Sequence, residues 1–326
     1  MANQAEVITE IEKILSPGRR IDTALSVVFL AGPLAYKLKR EMKNDFVDYS
    51  SLEKRKDFCL KELRLNKRNA PGIYNAVVAV RRENGGPLTL GPRGSTVEYL
   101  LEMNRFDEEL LLNRLAEKGA LTEELARALA GKVAEMHGSA RAAGMGGYSA
   151  NFLNAVKISV GQFLDSSSGV LPADLRGAAE LKLLTAYSGC QDVLEKRGGS
   201  VKECHGDLHL GNICLFEGSP CVFDAVEFND AFTQIDPFYD LAFLLMDLRH
   251  HGLPGLAGVV ADDYLRGTGS DKDDFAALLP LYQGLRAIIR CSISAASAKE
   301  TPSEGRASAL KKEALSYYNE AMSFLS

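Results

Sequence analysis

Residues 203–240 read ECHGDLHLGNICLFEGSPCVFDAVEFNDAFTQIDPFYD. An amphipathic helical pattern ends just before this stretch, near residues 197–199, and a short polar loop with two histidines, an aspartate and an asparagine follows. Two apolar runs come next, at residues 213–216 and 221–223, and Gly218-Ser219-Pro220 between them is typical of a turn. We therefore predict a β-hairpin with polar residues at its mouth, and polar loops on a rigid support are where functional residues concentrate.

Three oxygen-bearing side chains stand at the mouth of this predicted hairpin: Asp207, Asn212 and Asp224. Phosphoryl transfer needs a group that orients and deprotonates a hydroxyl, and oxygen ligands for the Mg²⁺ on the nucleotide phosphates. Kinases place an aspartate and, five residues later, an asparagine on one loop, with a separate aspartate for the metal. Asp207 and Asn212 have this spacing. By this template Asp207 is the base, and Asn212 and Asp224 are the metal ligands.

Three motifs, in this order, resemble the aminoglycoside phosphotransferase-like branch of the protein-kinase-like fold. They are HGDLHLGN at 205–212, VFDAVEF at 222–228 and IDPFYDLA at 235–242. Two further phrases are similar to an uncharacterised bacterial group of such kinase domains, whose members are often fused to a P-loop ATPase domain. These phrases are VFLAGPLAYKLKR at 28–40 and LEMNRFDEE at 101–109.

The resemblance implies an α+β, two-lobed protein-kinase-like fold. Residues 1–103 are expected to form a small N-terminal nucleotide-binding lobe with an antiparallel sheet. Residues 104–326 are expected to form a larger, mainly helical catalytic and substrate-binding lobe. The implied cofactors are ATP and Mg²⁺, and the implied acceptor is a hydroxyl of an unidentified small molecule.

The nucleotide-binding residues follow from the same resemblance. A kinase keeps its phosphate-pairing lysine in the strand after a hairpin. By resemblance this residue is Lys37, with Lys39 as the alternative in a shifted register, and Glu62 on the following helix is its predicted ion-pair partner. The backbone near Leu101 and Met103 is expected to bind adenine. The chain has no G-x-G-x-x-G loop, a pattern that aminoglycoside-kinase-like folds commonly lack.

Other polar residues around the motifs have supporting or open assignments. His209 is expected to orient Asp207 or the phosphate, and Asp240 to hydrogen-bond the backbone of the catalytic loop. Glu227 and Asp230 either face a cationic or polyhydroxyl substrate or are solvated loop acids. A transition-metal site at the loop histidines is disfavoured because the segment contains two glycines and is not helical.

Hydrophobic spacing predicts the remaining elements. Strands are expected at residues 24–31, 34–40, 74–82 and 97–103, and helices at 7–15, 52–69, 108–118, 122–142, 151–164, 173–195, 241–248, 271–298 and 303–325. Pro280 is expected to kink or divide its helix.

Composition restricts the class of protein. The net charge of −5 and pI of about 5.7 indicate no bulk attraction to nucleic acid or to anionic membranes. No apolar run approaches the roughly 20 residues of a membrane helix, and the polar, acidic start is not typical of a signal peptide. The six cysteines include no C-x-x-C pair, which indicates reduced thiols. A cytoplasmic location is expected.

Two other functions stay open at this point. The protein is alternatively a nucleotide-binding regulatory module that works with a P-loop ATPase partner protein and transfers no phosphate. The intact set of Asp207, Asn212 and Asp224 argues against that interpretation. A protein kinase is disfavoured because the sequence contains no D-F-G and no A-P-E.

Overall fold

The computed structural model describes residues 3–44 and 46–326. Contacts between Cα atoms divide the chain into two compact units. The N-terminal unit comprises residues up to 115 together with 211–233, and the helical unit comprises residues 116–210 and 234–326. The functional division of the chain at residue 103 stays a prediction.

The strands pair antiparallel throughout. Their bounds are β1 Arg19–Asp22, β2 Ser26–Ala31, β3 Leu34–Lys39, β4 Tyr74–Arg82, β5 Leu88–Thr89, β6 Ser95–Asn104, β7 Lys202–Glu203, β8 Ile213–Phe216, β9 Ser219–Val222 and β10 Gln234–Ile235. The first six form one sheet in the order β1-β2-β3-β6-β4-β5, while β8 pairs with β9 and β7 with β10. All four strands expected in the first 104 residues are confirmed; the edge strands β1 and β5 lack apolar alternation, so the sequence does not predict them.

The helices are mostly those that hydrophobic spacing predicts. Their bounds are α1 Gln4–Leu15, α2 Leu52–Asn69, α3 Leu112–Glu117, α4 Glu123–Ser139, α5 Tyr148–Ser166, α6 Ala173–Arg197, α7 Asp230–Thr233, α8 Pro237–His250, α9 Pro254–Thr268, α10 Lys272–Glu300 and α11 Glu304–Phe324. Together with the sheet they confirm the predicted α+β class, with an antiparallel sheet in a small N-terminal part and a larger helical part.

One buried hydrophobic cluster of the N-terminal unit lies between α1 and the sheet. Val7, Ile8 and Ile11 of α1 are buried in one cluster with Val27 and Phe29 of β2. Each such side chain stabilises the fold by about 1.5–3 kcal/mol relative to its exposed state. This cluster supports the sheet that carries the lysines discussed below.

The hairpin β8–β9 is confirmed, but its predicted turn is wrong. Glu217 and Gly218 form the turn, with φ of 51° and 80°, and Ser219 and Pro220 already belong to β9. Two central residues with positive φ match the right-handed twist of the paired strands better than a turn over 218–220 would.

Helix α8 begins where the IDPFYDLA motif places the signals for a helix start. Asp236 is the N-cap, and its carboxylate accepts a hydrogen bond from the Phe238 amide at 3.0 Å. Pro237 occupies the first helical position, where its missing N–H group costs nothing. Asp236 also pairs with Arg197 at 2.7 Å. This motif therefore fixes the start of a buried helix.

The structure differs from the helix predictions at residues 108–118 and contains two helices, α7 and α9, that the sequence analysis does not predict. The helix expected over residues 108–118 is a 3-10 turn at Glu108–Leu110 followed by the short α3. Helix α10 continues through Pro280 without division. Many of its residues are buried, and this packing outweighs the one hydrogen bond that proline removes.

Among residues 3–44 and 46–326, none of the helices has the length and apolarity needed to cross a bilayer.

Candidate active site

A cluster of charged side chains occupies the N-terminal unit. The amino group of Lys37, on β3, lies 2.8 Å from Glu62 Oε1 on α2 and 2.6 Å from Asp224 Oδ1. Glu62 is fully buried, whereas 43% of the Asp224 side chain is exposed. Burial opposes the charge on Lys37, but the carboxylates of Asp224 and Glu62 outweigh it and hold the pKa of Lys37 well above its usual range. The predicted Lys37–Glu62 pair is thus present as an ion pair.

Asp224 has an unusual backbone that its neighbours hold in place. Its φ is 62°, in the left-handed region that few residues other than glycine adopt. Its amide donates to the Tyr74 hydroxyl at 3.1 Å, and the next amide, of Ala225, donates to Asn66 Oδ1 at 2.8 Å. Such conformations persist where the surroundings over-determine them, often at functional sites. The direction of the Asp224 carboxylate is therefore built into the fold.

Asn212 lies at the same end of the hairpin as Asp224. The Phe223 amide donates to the Asn212 carbonyl at 3.0 Å, immediately beyond the paired residues Ile213 and Val222. The two predicted metal ligands are therefore joined by the hairpin pairing within one unit. A carboxylate and an amide oxygen are hard donors of the kind that Mg²⁺ prefers.

The two tentative substrate residues have different surroundings. Glu227 is buried, and its carboxylate pairs with Lys39 and accepts from the Tyr49 hydroxyl at 2.5 Å. Asp230 is 61% exposed and pairs with Lys61 at 2.6 Å. In this conformation Glu227 is engaged inside the unit, and Asp230 is the more accessible acid. Their substrate role stays a prediction.

Leu101 and Met103 lie in the centre of the six-stranded sheet. They belong to β6, and each of them pairs with a residue of β3 on one side and with a residue of β4 on the other. Backbone groups in a central strand have ladder partners on both sides, and β6 continues to Asn104. The assignment of adenine contacts to this backbone stays a prediction.

In the helical unit, Asp240 supports the loop that carries Asp207. Its two carboxylate oxygens accept the amides of His205 and Gly206, each at 2.9 Å. His137 lies 3.1 Å from Asp240 through one ring nitrogen and 2.8 Å from the Tyr264 hydroxyl through the other. Burial opposes the Asp240 charge, but the hydrogen bond from His137 and the neighbouring cationic groups outweigh it and lower its pKa. The geometry is that of a rigid backbone anchor.

Asp207 is placed beside His209, with 3.5 Å between the Asp207 carboxylate and His209 Nε2. Burial raises the pKa of Asp207, but the hydrogen bond from His209, with the charges of His209, His205 and Arg286, outweighs this effect. The pKa of Asp207 is therefore held well below its usual range, and the carboxylate is ionised near neutral pH.

Two supports of the same loop escape the sequence predictions. Asp247 accepts the Leu210 amide at 2.8 Å, and the Arg286 guanidinium donates to the Gly206 carbonyl at 3.1 Å. The sequence does contain a signal for Asp247. It follows Asp240 by two helical turns, so both carboxylates lie on one face of α8 and can reach the same loop. Arg286 and Arg290 fall on one face of α10 at i, i+4, but this spacing does not identify Gly206 as a partner, since it is distant in sequence.

One group of metal-ligating side chains occurs beside this loop. His137, Cys204 and Asp240 bring their ligand atoms within 4.8 Å of one another, and all three are buried. Both Asp240 oxygens and both His137 nitrogens already have hydrogen-bond partners. We therefore interpret this group as support for the loop.

Similar proteins of known structure share this fold. An aminoglycoside phosphotransferase in complex with GDP and kanamycin aligns with a TM-score of 0.60 and 12% identity, over 98% of each chain. A choline kinase from Cryptosporidium parvum aligns with a TM-score of 0.56 and 13% identity, over 98% of this chain and 96% of its own. A glucosamine kinase bound to glucosamine, ADP and phosphate aligns with a TM-score of 0.54 and 15% identity, over 94% of this chain and 76% of its own.

Sequence comparison gives relatives and a family. Uncharacterised proteins of Mycobacterium tuberculosis and Mycobacterium bovis are each 25% identical over 295 residues, which is 89% of this chain and 57% of the relative. The chain thus spans somewhat over half the length of these curated relatives. The model of the phosphotransferase enzyme family matches residues 94–280, more than half of the chain. This protein therefore belongs to the phosphotransferase enzyme family.

Proposed function

We propose that this protein is an ATP- and Mg²⁺-dependent kinase that transfers the γ-phosphate to a hydroxyl of a small molecule. The observation that carries the proposal is the cluster of Lys37, Glu62 and Asp224, with Asn212 at the same end of the hairpin. A buried glutamate that holds a lysine beside a strained, accessible aspartate is the arrangement that phosphate and its metal need.

The nucleotide-binding roles fall to residues of the N-terminal unit. Lys37, held by Glu62, neutralises charge on the phosphates. Asn212 and Asp224 supply oxygen ligands for Mg²⁺, and their donor chemistry and the exposure of Asp224 fit that ion. The ion, when bound, would neutralise charge on the β- and γ-phosphates. The backbone around Leu101 and Met103 is proposed to contact adenine.

The chemical step is assigned to Asp207. The acceptor hydroxyl oxygen forms a bond to the γ-phosphorus while the bond from that phosphorus to the bridging oxygen breaks, so that ADP leaves. The hydroxyl proton passes to the Asp207 carboxylate, which the lowered pKa keeps ionised. His209 orients this carboxylate, and Asp240 holds the loop backbone.

The acceptor class is proposed from the similar structures and from one exposed acid. Kanamycin and glucosamine, bound in two of those structures, both carry amines and hydroxyls. The carboxylate of Asp230 is exposed and paired with Lys61, and a substrate ammonium group would compete with Lys61 for it. We propose an amine-bearing hydroxyl compound as acceptor. Because one of the similar structures holds GDP, GTP belongs beside ATP in the assay.

A transfer assay tests the proposal. The protein is incubated with Mg²⁺, γ-labelled ATP or GTP and a panel of amino sugars, amino alcohols and uncharged polyols, and labelled products are separated. Asp207→Asn is expected to lower turnover by about 10²–10⁴-fold, the usual contribution of a general base. Asp224→Ala is expected to abolish the Mg²⁺-dependent turnover. Unchanged turnover in the Asp224 variant would remove the central assignment.

A second candidate function is a nucleotide-binding regulatory module that works with a P-loop ATPase partner and transfers no phosphate. The mycobacterial relatives are longer than this chain, which covers 57% of them, so they have room for a further domain. Nucleotide binding without labelled product from any hydroxyl compound would support this function over the first. The cytoplasmic location stays a prediction.

A further inference from the structure

Glu62 has two cationic partners, one on each carboxylate oxygen. Oε1 lies 2.8 Å from the amino group of Lys37, and Oε2 lies 2.5 Å from the amino group of Lys39. The two lysines are two residues apart on β3, so their side chains project from the same face of the strand. The lysine that the sequence offers as an alternative to Lys37 is thus a second member of the same cluster.

Lys39 also connects Glu62 to the segment after Asp224. Its amino group pairs with Glu227, whose carboxylate accepts from the Tyr49 hydroxyl at 2.5 Å. The same amino group lies 5.1 Å from the centre of the Tyr49 ring. Only 1% of the Lys39 side chain is exposed. A closed network therefore joins β3, α2 and the segment that begins at Asp224.

The charges of this network are nearly balanced. Burial opposes the charge on Lys39, but the carboxylates of Glu227 and Glu62 outweigh it and raise its pKa above the usual range. A buried ion pair is weak evidence for stability, because well-packed apolar residues often stabilise a fold as well or better. The pair of Lys39 and Glu227 is thus better explained by its effect on the charge of Glu62 and on the position of the segment that carries Asp224.

We propose that Lys39 and Glu227 are positioning residues for nucleotide binding. Lys39 is the permanent counter-ion of Glu62, so that the charge of Lys37 is directed to the phosphates, and Glu227 ties this counter-ion to the segment that carries Asp224. The inference rests on the proposed function. Lys39 itself does not touch the nucleotide, because its amino group is buried between Glu62 and Glu227.

The physical reason is competition for Lys37. Without nucleotide, Lys37 is shared between Glu62 and Asp224. If Lys39 were absent, the buried Glu62 carboxylate would have Lys37 as its remaining cationic partner and would hold it more strongly. The phosphates would then compete with a full negative charge in a site of low dielectric constant.

Two variants separate positioning from mere support of the fold. Lys39→Met leaves two buried carboxylates without their shared cation, so both the melting temperature and the nucleotide affinity should fall. The double variant Lys39→Met with Glu227→Gln removes the pair with no change in net charge. We expect it to recover most of the melting temperature, while the KM and the Kd for Mg²⁺–nucleotide stay raised about tenfold, because Glu62 still lacks its second cation.

A second buried ion pair in the same unit is the matched control. Arg55 of α2 pairs with Glu98 of β6 at 2.9 Å, and both side chains are buried. The charge-neutral double variant Arg55→Met with Glu98→Gln should change the melting temperature but leave the nucleotide KM and Kd as in the unmodified protein.

The measurements are the Kd for a fluorescent ADP analogue with Mg²⁺, the KM and kcat of phosphate transfer, and the melting temperature. If the Lys39/Glu227 double variant regains normal KM and Kd together with its melting temperature, the positioning role is wrong while the kinase activity of the unmodified protein still stands. If the unmodified protein neither binds nucleotide nor transfers phosphate, the proposed function and this inference both fail.

Discussion

Asp224, the proposed metal ligand, has a backbone conformation that disfavours most other residues. Its φ of 62° suits asparagine and glycine, whereas a residue such as alanine pays about 1–2 kcal/mol in this region. The amides of Asp224 and Ala225 are held by Tyr74 and Asn66, so relaxation to another conformation would break those hydrogen bonds.

The left-handed conformation at residue 224 predicts different stabilities for two substitutions that both remove the carboxylate. Asp224→Asn and Asp224→Ala should both lose Mg²⁺-dependent turnover, since neither keeps the carboxylate. The alanine variant should be less stable than the asparagine variant by about 1 kcal/mol, because asparagine tolerates the left-handed region. Urea unfolding of the two variants measures the difference, and equal stabilities would show that the backbone at residue 224 is not strained.

The ionisation of Asp207 predicts the pH dependence of turnover. A base works only when deprotonated, and the lowered pKa places its protonation at low pH, so kcat should show no acidic limb from Asp207 between about pH 5 and 8. His209 makes the leading favourable contribution to this lowering. In His209→Gln the pKa of Asp207 should rise, and the acidic limb should move to higher pH. Identical pH–kcat profiles for the two proteins, measured to below pH 5, would argue against the contact of His209 with Asp207.

At the scale of elements, close backbone contacts decide which glycines are replaceable. A Cβ on Gly198 would lie 2.3 Å from the Met145 carbonyl oxygen, whereas a Cβ on the adjacent Gly199 meets nothing within 4 Å. Both residues belong to the 3-10 turn Gly198–Ser200, which leads from α6 towards β7. The amide of Met145 donates to the Gly198 carbonyl at 2.9 Å, so the two segments cannot separate freely.

Alanine at these two positions should therefore affect stability differently. Gly198→Ala should destabilise the protein by about 1–3 kcal/mol, the usual cost of forcing atoms into a packed site. Gly199→Ala should be neutral within about 0.5 kcal/mol, as is usual for surface substitutions. Thermal unfolding of both variants makes the comparison, and a stable Gly198→Ala protein would mean that the turn shifts at little cost.

A histidine on α8 contacts α11 through a carboxylate and a stacked ring. His250 lies 2.7 Å from Glu320 and stacks on Tyr317 with 3.9 Å between ring centres. Burial opposes the charged ring, but the hydrogen bond and charge of Glu320 outweigh it and raise the pKa of His250 above 6.5.

Because the pKa is raised on folding, this stabilisation is fully present below the unfolded pKa and is lost as the pH rises through the folded pKa. The free energy of unfolding should therefore fall through this pair as the pH rises above the usual pKa range of histidine. Glu320→Gln should remove that part of the pH dependence. Chemical unfolding at several pH values tests it, and parallel pH curves for the two proteins would exclude a charged pair.

On the scale of the whole molecule, the chain leaves the helical unit after Leu210 and returns to it at Gln234. The segment in between carries Asn212, Asp224 and Glu227 and belongs to the N-terminal unit. The nucleotide-binding roles proposed here therefore lie in one unit, although the residues are distant in sequence.

Nucleotide binding should consequently stabilise the protein through those residues. At a Mg²⁺–ATP concentration of about 100 times Kd, the free energy of unfolding should rise by about 2.7 kcal/mol, which corresponds to a melting temperature higher by about 4 °C for a chain of this length. The Lys37→Met variant should lose most of this shift. Its melting temperature without nucleotide is the control, because it shows what the substitution alone does to stability. An equal shift in the variant would assign the nucleotide to other residues.

The sequence by itself determined the elements whose signals are local. The spacing of apolar residues gives α2 at Leu52–Asn69 and β4 at Tyr74–Arg82 with their observed bounds, since periodicity depends on neighbours along the chain. The ordered motifs from His205 to Ala242 indicate the phosphotransferase family because several residue types recur at fixed spacings. Asp224 lies within those motifs, whereas Lys37 and Glu62 are expected from the resemblance of the N-terminal strands and helix to those of kinases.

Only the tertiary structure decided how these side chains are partnered. Nothing local indicates that Lys39 shares Glu62 with Lys37, or that Glu227 is buried against Lys39 and Tyr49. Lys39 and Glu227 are 188 positions apart in the sequence, and their pairing depends on strand register and on where the hairpin returns the chain. Local patterns fix which elements form, but ion pairs between distant segments are set by packing, which no single stretch of sequence encodes.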